Sequence, residues 1–356
     1  MPQMKRPMTP DFPVLPPFSF RRWQGAGDTA AMLAVHAACR ERDSIDPYSV
    51  CYTVPNLPAD DYVRRLREAP PAATLLAERE GRVVAHAWME AWGVEERLYL
   101  WQVWVVPRWR GHGLGTAMNR WGETRARALH GHDTRPALHL ANATEGESEA
   151  VALLLNEGHR LNFVSPELAF DALETLPPVT LISGITLRAL KPSEHQAVAR
   201  ALCEANLNSP NQEGRWSGTA LERRIDTEEE EWLGRVRSAD PSLSPAAWEG
   251  ASVAGAYLCR RNGNVGEIAQ VAVRAPWRGR GLARALSTQS LHGLRAAGCV
   301  TARLFTSTGP DEEEPVSGPY AMYRKFGFFP IARHLRFRKV MGPDANVGET
   351  VGETHG

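Results

Sequence analysis

The chain has 356 residues, 43% hydrophobic and 23% charged, with 41 basic side chains balancing 41 acidic ones. That length accommodates two domains of ordinary size, each with a core of its own. The neutral balance excludes a nucleic-acid or anionic-membrane binder driven by overall field, and no run is apolar and long enough to span a bilayer.

From the N-terminus, residues 1–17 carry six prolines and cannot form a helix. A strand is expected at Phe18–Trp23, then a helix capped by Asp28 and running to Arg40. A second helix is expected at Ala59–Ala69, with strands at Thr74–Arg79, Val83–Trp92 and Leu98–Val106. Gly113 to His130 reads as a helix, its stripe formed by Leu114, Met118, Trp121 and Leu129. A strand at Ala137–Asn142 and a helix at Ser148–Glu157 follow, then two strands, His159–Val164 and Leu168–Ala172. Pro177-Pro178 marks a short, stiff linker. The order then repeats. A strand at Ile185–Leu190 precedes a helix at Ser193–Leu207, with Ser193 as its cap, and more helix within Thr219–Arg237. Strands follow at Ala247–Glu249, Ala251–Arg260 and Val265–Val273. A helix at Gly281–Ala297, a strand at Val300–Thr306, a helix at Pro319–Phe326 and closing strands in Phe328–Val340 complete the second copy. The division expected is a proline-rich segment 1–17, a first domain 18–174, a linker 175–180, a second domain 181–340 and a disordered polar tail 341–356.

Five scattered cysteines (Cys39, Cys51, Cys203, Cys259, Cys299) form no C-x-x-C pair and no Cys/His metal spacing. They read as reduced thiols, and no metal site is expected. A catalytic role for one of them stays open. The N-terminus lacks the apolar core of a signal peptide, so the expected location is cytoplasmic.

The most informative feature occurs twice. Val103 to Met118 reads V-W-V-V-P-R-W-R-G-H-G-L-G-T-A-M, and Val271 to Leu286 reads V-A-V-R-A-P-W-R-G-R-G-L-A-R-A-L. Each is a strand, a basic glycine turn and an apolar-periodic helix, which builds an anion site at a helix N-terminus. The glycines admit positive φ and close approach of a ligand. Successive N–H groups then converge into a nest, and the helix adds its positive end. Arg108 and Arg110, or Arg278 and Arg280, add mobile charge for a pyrophosphate. A dinucleotide turn would need a third glycine where Met118 and Leu286 stand. A plain turn with exposed arginines is the bland alternative, and repetition in register weighs against it.

The pattern resembles the GNAT superfamily of N-acetyltransferases, whose signature is Arg/Gln-x-x-Gly-x-Gly/Ala after a V-x-V strand. The resemblance implies an α/β (α+β) fold of two tandem domains. Each would hold a mixed, mostly antiparallel sheet, flanked by helices, whose fourth and fifth strands splay apart. It implies acetyl-CoA, or another acyl-CoA, as co-substrate. The pyrophosphate would lie on Arg278, Gly279, Arg280, Gly281, Leu282 and Ala283, or on Arg110, Gly111, His112, Gly113, Leu114 and Gly115. Pantetheine would lie along the strand edges at Val271, Ala272 and Val273, or at Val103 and Val105.

The family's second signature, A-x-x-L-Y-x-x-x-G-F, is met in its Y-x-x-x-G-F part within Ala321 to Phe328. Tyr323 falls on the tyrosine that protonates the departing CoA thiolate in many relatives. The bland reading is a core tyrosine. In the first half Leu154 takes that place and His159 replaces the phenylalanine. Leucine transfers no proton, so the first domain is expected to be degenerate and the second to do the chemistry. Glu267 opens the second domain's fourth strand, faces the cleft if alternation holds, and takes the position where relatives keep a carboxylate base. Its counterpart in the first half is Tyr99; a solvated strand-end glutamate is the alternative. The acidic runs Asp226 with Glu228–Glu231, and Asp311–Glu314, would either attract a cationic amine or form solvated faces.

These readings imply transfer of an acetyl group to the primary amine of a small molecule. The alternatives are a CoA-binding sensor or scaffold, and an enzyme acting on peptide or protein N-termini. Neither nucleic acid nor membrane is an expected partner, and a monomer or homodimer is expected.

Overall fold

A computed structural model describes residues 12–43, 46, 73–92, 97–131, 133–144, 148–180, 182–208, 218–312 and 318–341. The expected helix Ala59–Ala69, the polar tail beyond 341, and part of both the proline-rich segment and the Asp311–Glu314 run lie outside these residues. The chain forms two compact units, each discontinuous in sequence. The first comprises Met1–Ser165, Ser307–Glu313 and Ala332–Gly356; the second comprises Pro166–Thr306 and Glu314–Ile331.

In the first unit β1 (Ser19–Arg21), β2 (Thr74–Arg79), β3 (Arg82–Trp92) and β4 (Arg97–Val105) are successive antiparallel neighbours. β4 then runs parallel to β5 (Ala137–Thr144) over Arg97–Leu100 alone. Helix α1 spans Ala26–Asp43, α2 spans Leu114–His130 and α3 spans Ser148–Asn156. Asp28 is not the cap of α1. The helix begins two residues earlier, and the Asp28 carboxylate is held by Arg21 at 2.6 Å and by the Gln24 amide. Leu114, Met118 and Trp121 of α2 pack on Ala85, Ala87, Met89, Tyr99 and Trp101 of the sheet.

The strand expected to break near Ser165-Pro166 is continuous, β6 at Arg160–Phe170. Its first six residues belong to the first unit and its last five to the second. The last strand of the chain, β12 (Phe329–Met341), pairs antiparallel with β5 from His334–Thr144 to Met341–Ala137. Sequence proximity would have closed each half on its own final strand. The structure gives the first unit a strand from the chain's end, and gives the second unit Pro166–Phe170.

In the second unit the strand order is β6-β11-β10-β9-β8-β7. These are β7 (Thr186–Ala189), β8 (Pro245–Glu249), β9 (Ser252–Asn262), β10 (Val265–Val273) and β11 (Thr301–Phe305). Helices α4 (His195–Leu207) and α5 (Gly218–Ser238) pack on one face through Val198, Leu202, Ile225, Trp232 and Val236. Helices α6 (Leu282–Ala296) and α7 (Gly318–Phe326) pack on the other through Leu282, Leu286, Leu294, Tyr320 and Tyr323. Each fully buried leucine stabilises the fold by roughly 1.5–3 kcal/mol. Ser193 sits in a 3-10 turn before α4 and makes no cap.

Candidate active site

Both glycine turns have the backbone that the sequence requires. Gly279 and Gly281 lie at φ +72° and +81°, Gly111 and Gly113 at +75° and +82°. A side chain is strained in that region, which is why the turns carry glycine. Gly281 is the N-cap residue of α6 and Gly113 that of α2, and neither makes a side-chain cap. By helix geometry the amides of Leu282, Ala283 and Arg284 have no partner within α6. The same holds for Leu114, Gly115 and Thr116 in α2. Each turn is thus a set of N–H donors at the positive end of a helix.

The turns differ in what covers them. Leu15 from the N-terminal segment comes within 3.6 Å of the position a Cβ would take on Gly113, whereas nothing lies within 4 Å of that position on Gly281.

The leading arginines, Arg110 and Arg278, depart from the expectation of mobile charge. The Arg278 guanidinium donates to the carbonyls of Val273 at 3.0 Å, Asn208 at 2.6 Å and Ala205 at 3.0 Å. Arg110 donates to Val105 O at 3.2 Å and forms a bidentate pair with Asp43 at 2.6–2.7 Å. Both leading arginines tie the turn to the preceding strand and to a neighbouring helix region; Asp43 balances the Arg110 charge, whereas the Arg278 partners are neutral carbonyls. Arg280 remains at the surface, 3.3 Å from Glu249. His112 is exposed and touches the Arg110 carbonyl.

The strand ahead of each turn separates from its parallel neighbour. β10 pairs with β11 only from Val265–Thr301 to Glu267–Arg303. Beyond Glu267 the edge of β10 that includes Val271, Ala272 and Val273 has no pairing with β11. In the first unit the fork falls after Leu100–Leu140, leaving Val103 and Val105 beyond it.

A β-bulge sets where Glu267 points. Opposite β9 the register shifts between Ile268 and Gln270, leaving Ala269 as an extra residue. Strand alternation is broken there. Gly266 and Ile268 face α6, and so do Val271 and Val273; a Cβ on Gly266 would lie 2.5 Å from Leu294. Glu267 therefore shares the opposite face with Gln270 and Ala272, towards α4 and α5. β4 has no such shift against β3, and Tyr99 packs on the α2 side. Tyr99 matches Glu267 in sequence but not in position, which corrects the expected equivalence.

Glu267 lies 3.8 Å from Arg260 on β9. Its carboxyl is pushed above the ordinary value, first by burial and further by Glu167, with Arg260 opposing. Glu167 on β6 is buried, 4.0 Å from Arg303. Tyr323 is 4% exposed and packs edge-on to Phe328. Burial pushes its hydroxyl well above the ordinary phenol range, and the neighbouring Tyr257 hydroxyl partly offsets this. Tyr257, itself fully buried, also interacts with Ser287 on α6. Sequence reasoning missed Tyr257, Ser287, Glu167, Arg260 and Arg303. The Ser-Pro-Glu run containing Glu167 reads as a break between strands, and nothing in it signals a site.

Leu154, in the tyrosine's place, is a buried core residue. Near it Glu123, His139 and His159 bring ligand atoms within 4.8 Å of one another, a group that could hold a metal. The two imidazoles meet at 2.9 Å, and burial holds both below the ordinary histidine range. Lys339 already donates to both Glu123 oxygens, at 2.7 and 2.8 Å, so an ammonium supplies the positive charge there. These residues come from separate elements, and no local spacing announces them.

The acidic run on α5 is paired with arginines. Arg200 reaches Glu222, Asp226 and Glu229, while Arg224 holds Glu228 and Arg235 holds Glu231. That favours the solvated-face reading over an open cationic trap. Trp101 donates to Met118 O at 3.1 Å and lies against Gly122, a packing role.

The model of the acetyltransferase (GNAT) family matches residues 37–147 and again 206–328. The chain is 30% identical to the mycothiol acetyltransferase of Streptomyces scabiei (strain 87.22) over 248 residues, 66% of this chain and 69% of that protein. It is 27% identical to the mycothiol acetyltransferase of Nocardia farcinica (strain IFM 10152) over 313 residues, 85% of this chain and 92% of that protein. Among solved structures it is similar to a GCN5-related N-acetyltransferase from Sphaerobacter thermophilus, with TM-score 0.70 and 25% identity over 92% of this chain and 97% of that one. A tandem GNAT protein from the clavulanic acid biosynthesis pathway shares the fold, with TM-score 0.64 and 19% identity over 92% of this chain and 99% of that one.

Proposed function

We propose, from the premise that this chain belongs to the GNAT acetyltransferase family, that it moves the acetyl group of acetyl-CoA onto the primary amine of a small molecule, and does so in the second unit. The observation that carries the assignment is the asymmetry between the turns. The open turn at Gly281 shares a unit with a buried tyrosine, whereas the turn at Gly113 is flanked by Leu15 and has Leu154 in the tyrosine's place. The relatives named mycothiol acetyltransferase support a small-molecule acceptor.

The residues would act as follows. The amides of Gly279 to Ala283 receive the pyrophosphate, and Arg278 fixes the turn that presents them. The free edge of β10 at Val271, Ala272 and Val273 aligns the pantetheine arm, and a backbone N–H there faces the thioester oxygen as it gains charge. An amine attacks only when neutral, so a base is needed at neutral pH. Glu267 takes that proton, directly or through water; its raised carboxyl makes it a better acceptor than an ordinary glutamate. The new C–N bond forms, the C–S bond breaks, and Tyr323 gives its proton to the departing thiolate. The elevated Tyr323 hydroxyl stays protonated until that moment.

The test follows thiol release from acetyl-CoA with a panel of amino sugars, polyamines, amino acids and peptides. Tyr323→Phe is expected to lower kcat about a hundredfold while the KM for acetyl-CoA changes less than about twofold. Gly281→Val should abolish coenzyme binding, and Gly113→Val should leave it intact. Full activity in Tyr323→Phe, or loss of coenzyme in Gly113→Val alone, would refute the assignment to the second unit.

A further inference from the structure

Four adjacent strands of the second unit carry one row of charge on a single face. In register, Glu267 of β10 lies beside Arg303 of β11, and Arg303 lies beside Ala169 of β6. Glu167, two residues from Ala169, is on that same face next to Phe305. Arg260 of β9 stands opposite Glu267. The row therefore reads Arg260, Glu267, Arg303, Glu167. It lies where β10 and β11 part, on the face turned away from Tyr323 and α6. The bulge at Ala269 is what brings Glu267 onto this face.

Glu167 is an unusual residue to find there. Its side chain is 1% exposed, and Arg303, itself only 15% exposed, lies at 4.0 Å. A buried carboxylate carries a large desolvation cost that charge pairing and hydrogen bonds must offset. It also comes from the first half of the sequence, on a strand that the second unit needs to complete its sheet.

We propose that Glu167 is a positioning residue of this same transfer site, a second carboxylate that keeps Glu267 ready to take the amine's proton. The inference rests on the reading of Glu267 as the base. Two negative groups on one face of a sheet resist being ionised together, so the exposed member, Glu267, holds a proton more readily. Glu267 is 23% exposed and can meet an acceptor, whereas Glu167 cannot. The other charges bearing on Glu267 act differently. Arg260 favours its ionised form, and Arg303, beside Glu267 in register, is the cation that lies 4.0 Å from Glu167. Cys259, on the opposite face, senses the Glu267 charge and is itself raised mainly by burial. Arg200 and Glu204 of α4 are engaged by α5 and by Arg274. On this view the first half of the chain supplies the second unit with part of its chemistry as well as a strand.

The experiment titrates Glu267 directly. Full-length protein labelled with carbon-13 at glutamate carboxyls is followed by NMR against pH, with the Glu267 signal identified by its loss in Glu267→Gln. In Glu167→Gln the Glu267 midpoint should fall by about half a pH unit to one unit, about a three- to tenfold change in its ionisation constant. Glu167→Asp, which keeps the charge, should stay near the wild type and guards against a folding artefact. An unmoved or higher midpoint in a folded Glu167→Gln protein overturns the inference and leaves the base reading intact. The acid limb of kcat/KM, measured with the best amine of the panel, should fall in step with the midpoint. A midpoint that falls while that limb stays fixed refutes the base reading and, with it, the positioning role.

Discussion

At the scale of single residues, the chemistry is divided by environment more than by residue type. Tyr323 and Tyr257 are both buried phenols, and both are raised by that burial. Only Tyr323 falls on the family's helix motif. Glu267 and Glu167 are both carboxylates, and exposure alone separates one that can meet an acceptor from one that cannot. The first unit invests its buried polar residues differently. His36 stacks on His86 at 4.7 Å, and His139 meets His159. Burial lowers all four, with His36 and His139 brought to about 3. The sign follows from linkage. The unfolded chain holds these histidines near 6.5, so it binds more protons than the fold below that pH. Stability is therefore full above about pH 6.5 and declines as the pH falls, by roughly 1.4 kcal/mol per pH unit for each such histidine. Denaturant titrations at pH 7.5 and 5.5 should show this loss, and His36→Gln with His86→Gln should make it smaller. Equal stability at both pH values would contradict it.

At the scale of elements, one inserted residue decides the orientation of the candidate base. β10 is a strand by its β-branched and apolar content, and its bounds match the sequence expectation at Val265–Val273. Alternation alone would place Glu267 on the side of Val271, against α6. The bulge at Ala269 reverses that. Deleting Ala269 should close the bulge and leave both faces as they are: Glu267 would stand two residues before Gln270, and Gly266 and Ile268 would stay in phase with Val271 and Val273 beneath α6. The deletion variant should therefore fold with a cooperative thermal transition. A deletion variant without a cooperative transition would show that the bulge is needed for more than the phase of the two faces. The two glycine turns make the complementary point. Their arginines are conspicuous in the sequence, yet Arg278 and Arg110 serve as struts for the turn, and backbone amides are left to face a ligand.

At the scale of the whole molecule, the two repeats are not two separable pieces of chain. The second unit includes Pro166–Phe170, which pair with β11 at Ala302–Phe305. The first unit includes the final strand, whose residues His334–Met341 pair with β5. A fragment cut at the proline joint, residues 181–356, would leave β11 with an open edge and β12 without its neighbour. Such edges pair with other chains. The fragment should aggregate and show no cooperative thermal transition; a soluble, coenzyme-binding fragment would refute this.

The sequence by itself determined the repeat, the strand–turn–helix order, the positive-φ glycines and the tyrosine that one half keeps and the other lacks. Each is a local property, written in consecutive residues and fixed by backbone sterics and periodicity. Tertiary structure alone decided the face of Glu267, the strut role of the arginines, the approach of Leu15 to Gly113, the grouping of Glu123, His139 and His159, and the arrival of Glu167 beside Arg303. These depend on a bulge that breaks alternation and on pairings between strands far apart in the chain, such as Phe170 with Ala302. Which distant partner a strand edge takes is set by burial of whole faces, and a short stretch of residues carries no record of it.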